Sequence, residues 1–299
     1  MKKISPPRLI VGSSENSHEL APDSLRKVAL VVTSPPYHNA ISYTQHEEDR
    51  FANYRVRSQS DYKNEYLPLM NMVWDSCWKM LRPGGYLAIN VGSVLDSGLQ
   101  FPLPQDIEFG LMNSRREWEF CKTIIWHKVT AGVKRAGSVI QHRLPGYWYP
   151  NIMTESIIIV RKPGKKLVQN HDVPSEWWES IWDLAPVPPG KIDHPAPFPE
   201  DLPHRLIRML TNPGDLVFDP FNGSGTTTKA AFDLGRQALG IDLSPIYVEF
   251  ATQRIDLPSS VRSSQLKVIP VHQQDFVAGK SRGQTRHGAG IQSRTKAKS

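Results

Sequence analysis

The apolar residues of the chain fall into two kinds of run. Short blocks rich in Val, Ile, Leu and aromatic residues recur at 8–12, 28–33, 86–92, 120–127, 156–161, 216–219 and 237–241. Between several of them lie longer amphipathic stretches, at 62–81, 200–210, 226–234 and 245–255. Brief apolar runs bounded by turn residues read as buried strands, and longer periodic ones as helices. Their alternation predicts an α/β domain with helices covering a sheet. Local punctuation agrees. Ser244 precedes Pro245, so a hydroxyl that can cap a helix stands before a ring that fits the first turn. Arg82-Pro83-Gly84-Gly85 stops the 62–81 helix and opens the next strand.

Three stretches break the rhythm. Residues 38–61 are polar and rich in Tyr, Asn and Arg. Residues 128–150 mix basic and aromatic side chains, among them Lys134, Arg135, His142, Arg143, Tyr147 and Trp148. Residues 163–199 are rich in Pro and Trp. Long insertions inside a compact domain are more often functional than idle.

Composition changes this picture little and charge changes it more. The chain is 39% hydrophobic and 22% charged, ordinary for a globular protein. No apolar run approaches the ~18 residues of a membrane span, and the basic start has no apolar region behind it, so no secretory signal is expected. Cys77 and Cys121 form neither a CxxC pair nor a zinc spacing, and the ten histidines are scattered. The expectation is therefore a cytoplasmic chain without a metal, both thiols serving as small buried groups. From residue 257 onward eight basic residues face one acid, Asp275, so this stretch carries the whole net charge of +7. Such a tail either steers the protein to a polyanion or merely keeps it soluble. Its Ser, Gly, Lys, Arg and Gln content predicts a largely unstructured segment over 259–299, following a catalytic domain over 1–258.

Two strand ends carry chemistry. The run Val28-Ala29-Leu30-Val31-Val32 leads into Thr33-Ser34-Pro35-Pro36-Tyr37. Two prolines remove two backbone donors and stiffen the turn, so its carbonyls face outward. The Ser34 hydroxyl and the Pro35 carbonyl can each accept from an exocyclic amine, while the Tyr37 ring can stack on the base that bears it. A base amine is a poor nucleophile because its lone pair is delocalised into the ring. Two acceptors outside the ring plane favour a pyramidal nitrogen and free that pair for attack on an activated methyl group. By itself, Pro-Pro reads equally well as an inert strand-ending turn.

The second motif follows Leu216-Val217-Phe218. It reads Asp219-Pro220-Phe221-Asn222-Gly223-Ser224-Gly225-Thr226-Thr227, a glycine loop between a strand and a helix. That is where a nucleoside lies across the carboxyl ends of a parallel sheet. Thr228 replaces the third glycine of a dinucleotide fingerprint, and no Gly-Lys-Ser/Thr of a phosphate loop follows. The next strand ends in Asp242, a carboxylate able to hold two ribose hydroxyls. The bland alternative is a structural glycine turn with a capping acid.

Taken together, Thr33–Tyr37, Leu81-Arg82-Pro83-Gly84-Gly85, His194-Pro195-Ala196-Pro197-Phe198-Pro199 and Asp219–Thr227 resemble the amino-group-specific DNA methyltransferases. Their order resembles the circularly permuted β group. The resemblance covers residues 8–256. It implies a Rossmann-like methyltransferase fold with a seven-stranded, mostly parallel sheet and helices on both faces. It implies S-adenosylmethionine as cofactor and double-stranded DNA as partner, with the target base flipped out of the duplex. Ser34, Pro35, Pro36 and Tyr37 then correspond to the catalytic motif. Asp219, Phe221, Gly223, Ser224, Gly225, Thr226 and Asp242 correspond to the cofactor site, with Phe198 and Pro199 closing over its methionine end. Serine at position 34 is similar to the cytosine-N4 enzymes, whereas adenine-N6 enzymes usually show Asp or Asn there. The chain departs from the family at Gly12-Ser13, where relatives often carry Gly-Asp for the cofactor's adenine amine.

Inserted segments at 38–61, 128–150 and 163–189 are expected to read the DNA, with Lys134, Arg135, His142 and Arg143 as contacts. A cognate restriction endonuclease acting separately is a possible partner. Adenine-N6 methylation needs the same device. So does an RNA amine methyltransferase. A nicotinamide dehydrogenase leaves Ser-Pro-Pro-Tyr unexplained, and a non-catalytic nucleic-acid-binding protein leaves both strand-end motifs unexplained. Methylation at cytosine C5 would require a nucleophilic thiolate after a proline, and neither cysteine stands there.

Overall fold

In the computed structural model the described residues are 5–36, 61–96, 99–128, 152–165, 172–187, 198–255 and 267–268. All lie within the unit Met1–Ile269, one of two into which the chain divides. The proposed contacts Lys134, Arg135, His142 and Arg143, with the rest of 129–150, residues 38–60, Tyr37 and residues 194–197, lie outside them.

The strands are β1 (Arg8–Val11), β2 (Val28–Thr33), β3 (Leu81–Val91), β4 (Val94–Asp96), β5 (Leu99–Phe101), β6 (Glu119–Lys128), β7 (Thr154–Arg161), β8 (Ile181–Leu184), β9 (Leu216–Asp219), β10 (Gln237–Asp242) and β11 (Lys267–Val268). The helices are α1 (Ser17–Leu20), α2 (Leu67–Met80), α3 (Leu103–Met112), α4 (Asp201–Leu210), α5 (Thr226–Asp233) and α6 (Pro245–Arg254). A π-helical turn, Tyr62–Tyr66, leads into α2. None of the described helices is long and apolar enough to cross a membrane.

Nine strands form one sheet in the order β11-β1-β10-β9-β2-β3-β7-β6-β8, while β4 and β5 make a separate hairpin. Every neighbouring pair in the large sheet is parallel except the two that β7 makes with β3 and β6. All seven expected strands are present, so the class stands and the count changes. The two extra strands were silent for physical reasons. Ile181–Leu184 is short and buries only alternate side chains, Trp182 and Leu184, among residues that read as a Pro- and Trp-rich loop. Lys267–Val268 is two residues long, inside the tail expected to lack structure, yet pairs with β1. Helix α3 also escaped notice; Gly110 sits inside it, and Pro102 at its N-cap offers no capping side chain.

Period-2 alternation sorts the strands into two cores. Val31, Leu87, Ile89, Ile158 and Val160 join the residues of α2 and α3 on one face. Leu30, Val32, Ala88, Ile157, Ile159 and Trp182 join α4 and α5 on the other. Burial on both sides is why the central strands read as unbroken apolar runs. Helix α6 makes a third, smaller cluster with Leu9 and Val11. Cys77 is fully buried as expected, but Cys121 is exposed on β6. Its neighbours Phe120 and Lys122 are exposed too, because β6 shifts register there.

Candidate active site

Strands β9 and β2 lie side by side and parallel, with Val31 opposite Phe218. From β9 the chain turns through α5 to β10 on one side, and from β2 through α2 to β3 on the other. This is a topological switch point, where the loops leaving adjacent strands diverge and open a crevice at the carboxyl ends. Both motifs singled out in the sequence leave the sheet there.

They are bonded to each other. Thr33 Oγ1 donates to Asp219 Oδ1 at 2.7 Å, and the backbone N–H of Phe221 donates to the same oxygen at 3.0 Å. The Thr227 hydroxyl adds a third bond. Asp219 is buried, and desolvation pushes its pKa up to about 6 against the pull of these donors. Its described contacts are all internal, so it braces the two loops. On the β2 side Pro35 is buried, while Ser34 and Pro36 are half-buried. Tyr66 Oη donates to the Pro36 carbonyl at 2.9 Å. The π turn at 62–66 shapes this approach to α2, a feature that often marks functional sites.

The glycine loop is equally ordered. Gly223 has φ +48°, and its N–H donates to Asp242 Oδ2 at 2.7 Å. Gly225 caps α5 with φ +80°, and a Cβ there would lie 2.8 Å from the Cβ of Ala251, so only glycine fits. Asp242 Oδ1 accepts from Ser244 N at 2.9 Å. Asp242 is half-buried, and desolvation again pushes its pKa up to about 6. Each of its oxygens has accepted one backbone bond and retains a second lone pair. That donor-poor, acceptor-rich strand end fits a ribose bearing two hydroxyls. Ser14 Oγ, just after β1, donates to the Pro220 carbonyl at 2.5 Å and holds the loop from the other side. Ser13, where a carboxylate was missed in the sequence, donates to Glu15 at 2.5 Å, which puts an acid two residues further on.

The structure brings Ser34, Pro35, Pro36, Asp219, Phe221, Gly223, Ser224, Gly225, Thr226 and Asp242 to one end of the sheet. Phe198 packs half-buried against the α4 core, and the Pro199 carbonyl accepts from Leu202 N at the start of α4. The hydroxyls of Ser224 and Thr226, expected to face a cofactor, lie within hydrogen-bonding distance of Arg254. Thr33, Tyr66, Ser14 and Arg254 were not found from the sequence. Only Thr33 carried a signal, its place at the motif's edge; the others act across 28 or more residues.

A family profile described as a DNA methylase matches residues 28–253, three quarters of the chain. The chain belongs to the N6/N4 DNA methylase family. The Type II beta methyltransferase M.BslI of Bacillus sp. (strain NEB-606) is 28% identical over 76% of this chain, which spans 25% of that relative's length. A solved structure of TTHA0409, a DNA modification methylase from Thermus thermophilus complexed with S-adenosyl-L-methionine, is 32% identical, with a TM-score of 0.61. It covers 83% of this chain and 94% of its own. The cytosine-N4-specific PvuII DNA methyltransferase, 20% identical, shares the fold with a TM-score of 0.67, covering 86% and 88%.

Proposed function

We propose that this methylase transfers a methyl group from S-adenosylmethionine to an exocyclic amine of a DNA base, N4 of a flipped cytosine. The observation that carries the reading is the bond from Thr33 to Asp219, which holds the amine-accepting turn against the nucleoside loop at the switch point. When bound, S-adenosylmethionine supplies an electrophilic methyl group on its sulfonium. Asp242 would accept the two ribose hydroxyls, the Gly223–Gly225 backbone would lie along the cofactor, and Phe198 and Pro199 would close over its methionine end.

The Ser34 hydroxyl and the Pro35 carbonyl would orient the target amine, with Tyr37 stacked on the base. Ser34 is too weak a base to take a full proton near neutrality, so the proton leaves after transfer. Thiolate chemistry at cytosine C5 is disfavoured: burial pushes the Cys77 thiol far above the usual range, and exposed Cys121 lies near the amino end of β6, away from the crevice at the carboxyl ends. DNA is read by the 38–61, 128–150 and 163–189 segments, including Lys134, Arg135, His142 and Arg143. M.BslI is named as a Type II methyltransferase, which supports a place beside a separate restriction endonuclease.

The test is labelled methyl transfer to mixed genomic DNA, followed by digestion to nucleosides. Label in N4-methylcytosine is the expected result. Label in N6-methyladenine transfers the reading to the other base, and label in RNA alone overturns it.

A further inference from the structure

Arg254, the last residue of α6, bonds three residues on two separate segments of the crevice wall. Its Nη1 donates to Thr226 Oγ1 at 2.9 Å and to Ser224 Oγ at 3.1 Å, and lies 3.2 Å from the Ser224 carbonyl. Its Nη2 donates to Glu200 Oε1 at 2.5 Å. Ser224 and Thr226 are the glycine loop's own hydroxyls, both buried, and Glu200 directly follows Phe198 and Pro199. One guanidinium thus ties the loop under the cofactor to the segment that closes over it.

This is an odd place for a cation kept for stability alone. The N-terminus of α5 carries the positive end of the helix dipole, which disfavours a nearby positive charge. Glu200 offsets that charge from the far side, but its side chain is 53% exposed, and exposed pairs contribute little. What the arrangement does supply is geometry. The rigid fork of arginine holds several acceptors at fixed angles, which a lysine cannot do.

We propose that Arg254 is a positioning residue: with Glu200 it latches the Ser224–Thr226 loop to the Phe198–Pro199 segment, presetting the S-adenosylmethionine site in its closed geometry. The inference rests on the cofactor reading above. Preorganisation of this kind acts on affinity, because the free protein no longer has to order both segments on binding.

The test is calorimetric titration of S-adenosylmethionine into wild type, Arg254→Met, Arg254→Lys and Glu200→Gln. Steady-state kinetics on mixed genomic DNA and hydrogen exchange of 198–210 and 222–230 accompany it. Arg254→Met should weaken binding about tenfold, the equivalent of ~1.4 kcal/mol. Arg254→Lys should fall between it and wild type, and Glu200→Gln should cost about threefold, on the order of one lost charge-assisted bond discounted for exposure. KM for S-adenosylmethionine should rise with Kd by more than kcat falls, and exchange should quicken in both segments together. Should Arg254→Met fail to fold, Glu200→Gln decides the matter, since an exposed carboxylate is not needed for folding. Unchanged affinity in the folded variants overturns the latch while leaving the cofactor reading intact. A wild-type protein that does not bind S-adenosylmethionine overturns both.

Discussion

The two sides of the switch point are built differently. On the β9–β10–β1 side the two carboxylates are held by backbone donors: Gly223 and Ser244 donate their N–H groups to Asp242, and Phe221 donates its own to Asp219, with Ser14 and Arg254 bracing the loop from outside. On the β3–β7–β6 side the crevice is made of side chains far apart in sequence. Lys128, at the end of β6, pairs with Glu155 at the start of β7, and Asn90 of β3 donates to the same carboxylate at 2.6 Å. All three are buried, and Lys128 also lies over the Trp126 ring. Because Thr33 pairs with Ile89, Asn90 stands beside Ser34 at the rim. If the proposed reading holds, the first side faces the nucleoside cofactor and the second faces the target base, so the two can be perturbed separately.

The largest test of this contrast falls on the side-chain half. A buried pair stripped of one partner leaves an uncompensated charge, so Glu155→Leu should destabilise the protein by about 3–5 kcal/mol. Chemical denaturation of the folded protein measures it. The double variant Lys128→Met/Glu155→Leu should recover most of that loss; if it does not, the charges themselves are needed at the rim.

Next is the separation of functions. Ser34→Ala should lower kcat about a hundredfold, the scale for a lost oriented polar contact at a reacting centre. Its affinity for S-adenosylmethionine should stay within about twofold, since a contact to the reacting base does not hold the cofactor. Loss of both to the same degree would mean that the two sides are one unit.

On the backbone half, pH is the sharper instrument. On the proposed reading Asp242 would have to be ionised to accept two ribose hydroxyls, and burial pushes its pKa up to about 6. Affinity should therefore weaken as pH falls through 6, by about tenfold for each unit below it, as proton competition requires. Stability should move in the opposite sense. Asp219 and Asp242 have folded pKa values above the ordinary 3.8, so the folded state binds more protons between about pH 4 and 6. These two sites therefore stabilise the protein as pH falls through that window. Titrating Kd and the denaturation midpoint in parallel separates the two effects, and Asp242→Asn should flatten the first curve.

The same contrast explains what the sequence disclosed. Seven strands, four helices and both loop motifs are legible, because central strands buried on both faces are continuous apolar runs and a glycine loop needs consecutive residues. The Lys128–Glu155–Asn90 cluster, Tyr66 and Arg254 are not. Each acts on a partner 27 or more residues away, and nothing in a linear pattern marks such pairs. Lys128 was read as the start of a loop, whereas it is the last residue of β6. The edge strands failed for a different reason. With one neighbour and one covered face, β8 needs only two buried side chains and leaves only a weak alternation behind.

The smallest effect probes the joint between the halves. Tyr66 donates to the Pro36 carbonyl from the turn that opens α2, so its hydroxyl holds the Ser34–Pro36 turn from the β2 side. Tyr66→Phe keeps the buried ring and deletes one neutral hydrogen bond, a change of about 1 kcal/mol. If that bond serves only folding, the loss appears as a denaturation midpoint shifted by a few degrees, with kinetics intact. If it also orients the turn, kcat should fall about fivefold while KM for S-adenosylmethionine holds, because only one side of the crevice loosens. A rise in that KM instead would show that strain passes through Thr33 and Asp219 to the glycine loop. The crevice would then respond as a single rigid body rather than as two halves that loosen independently.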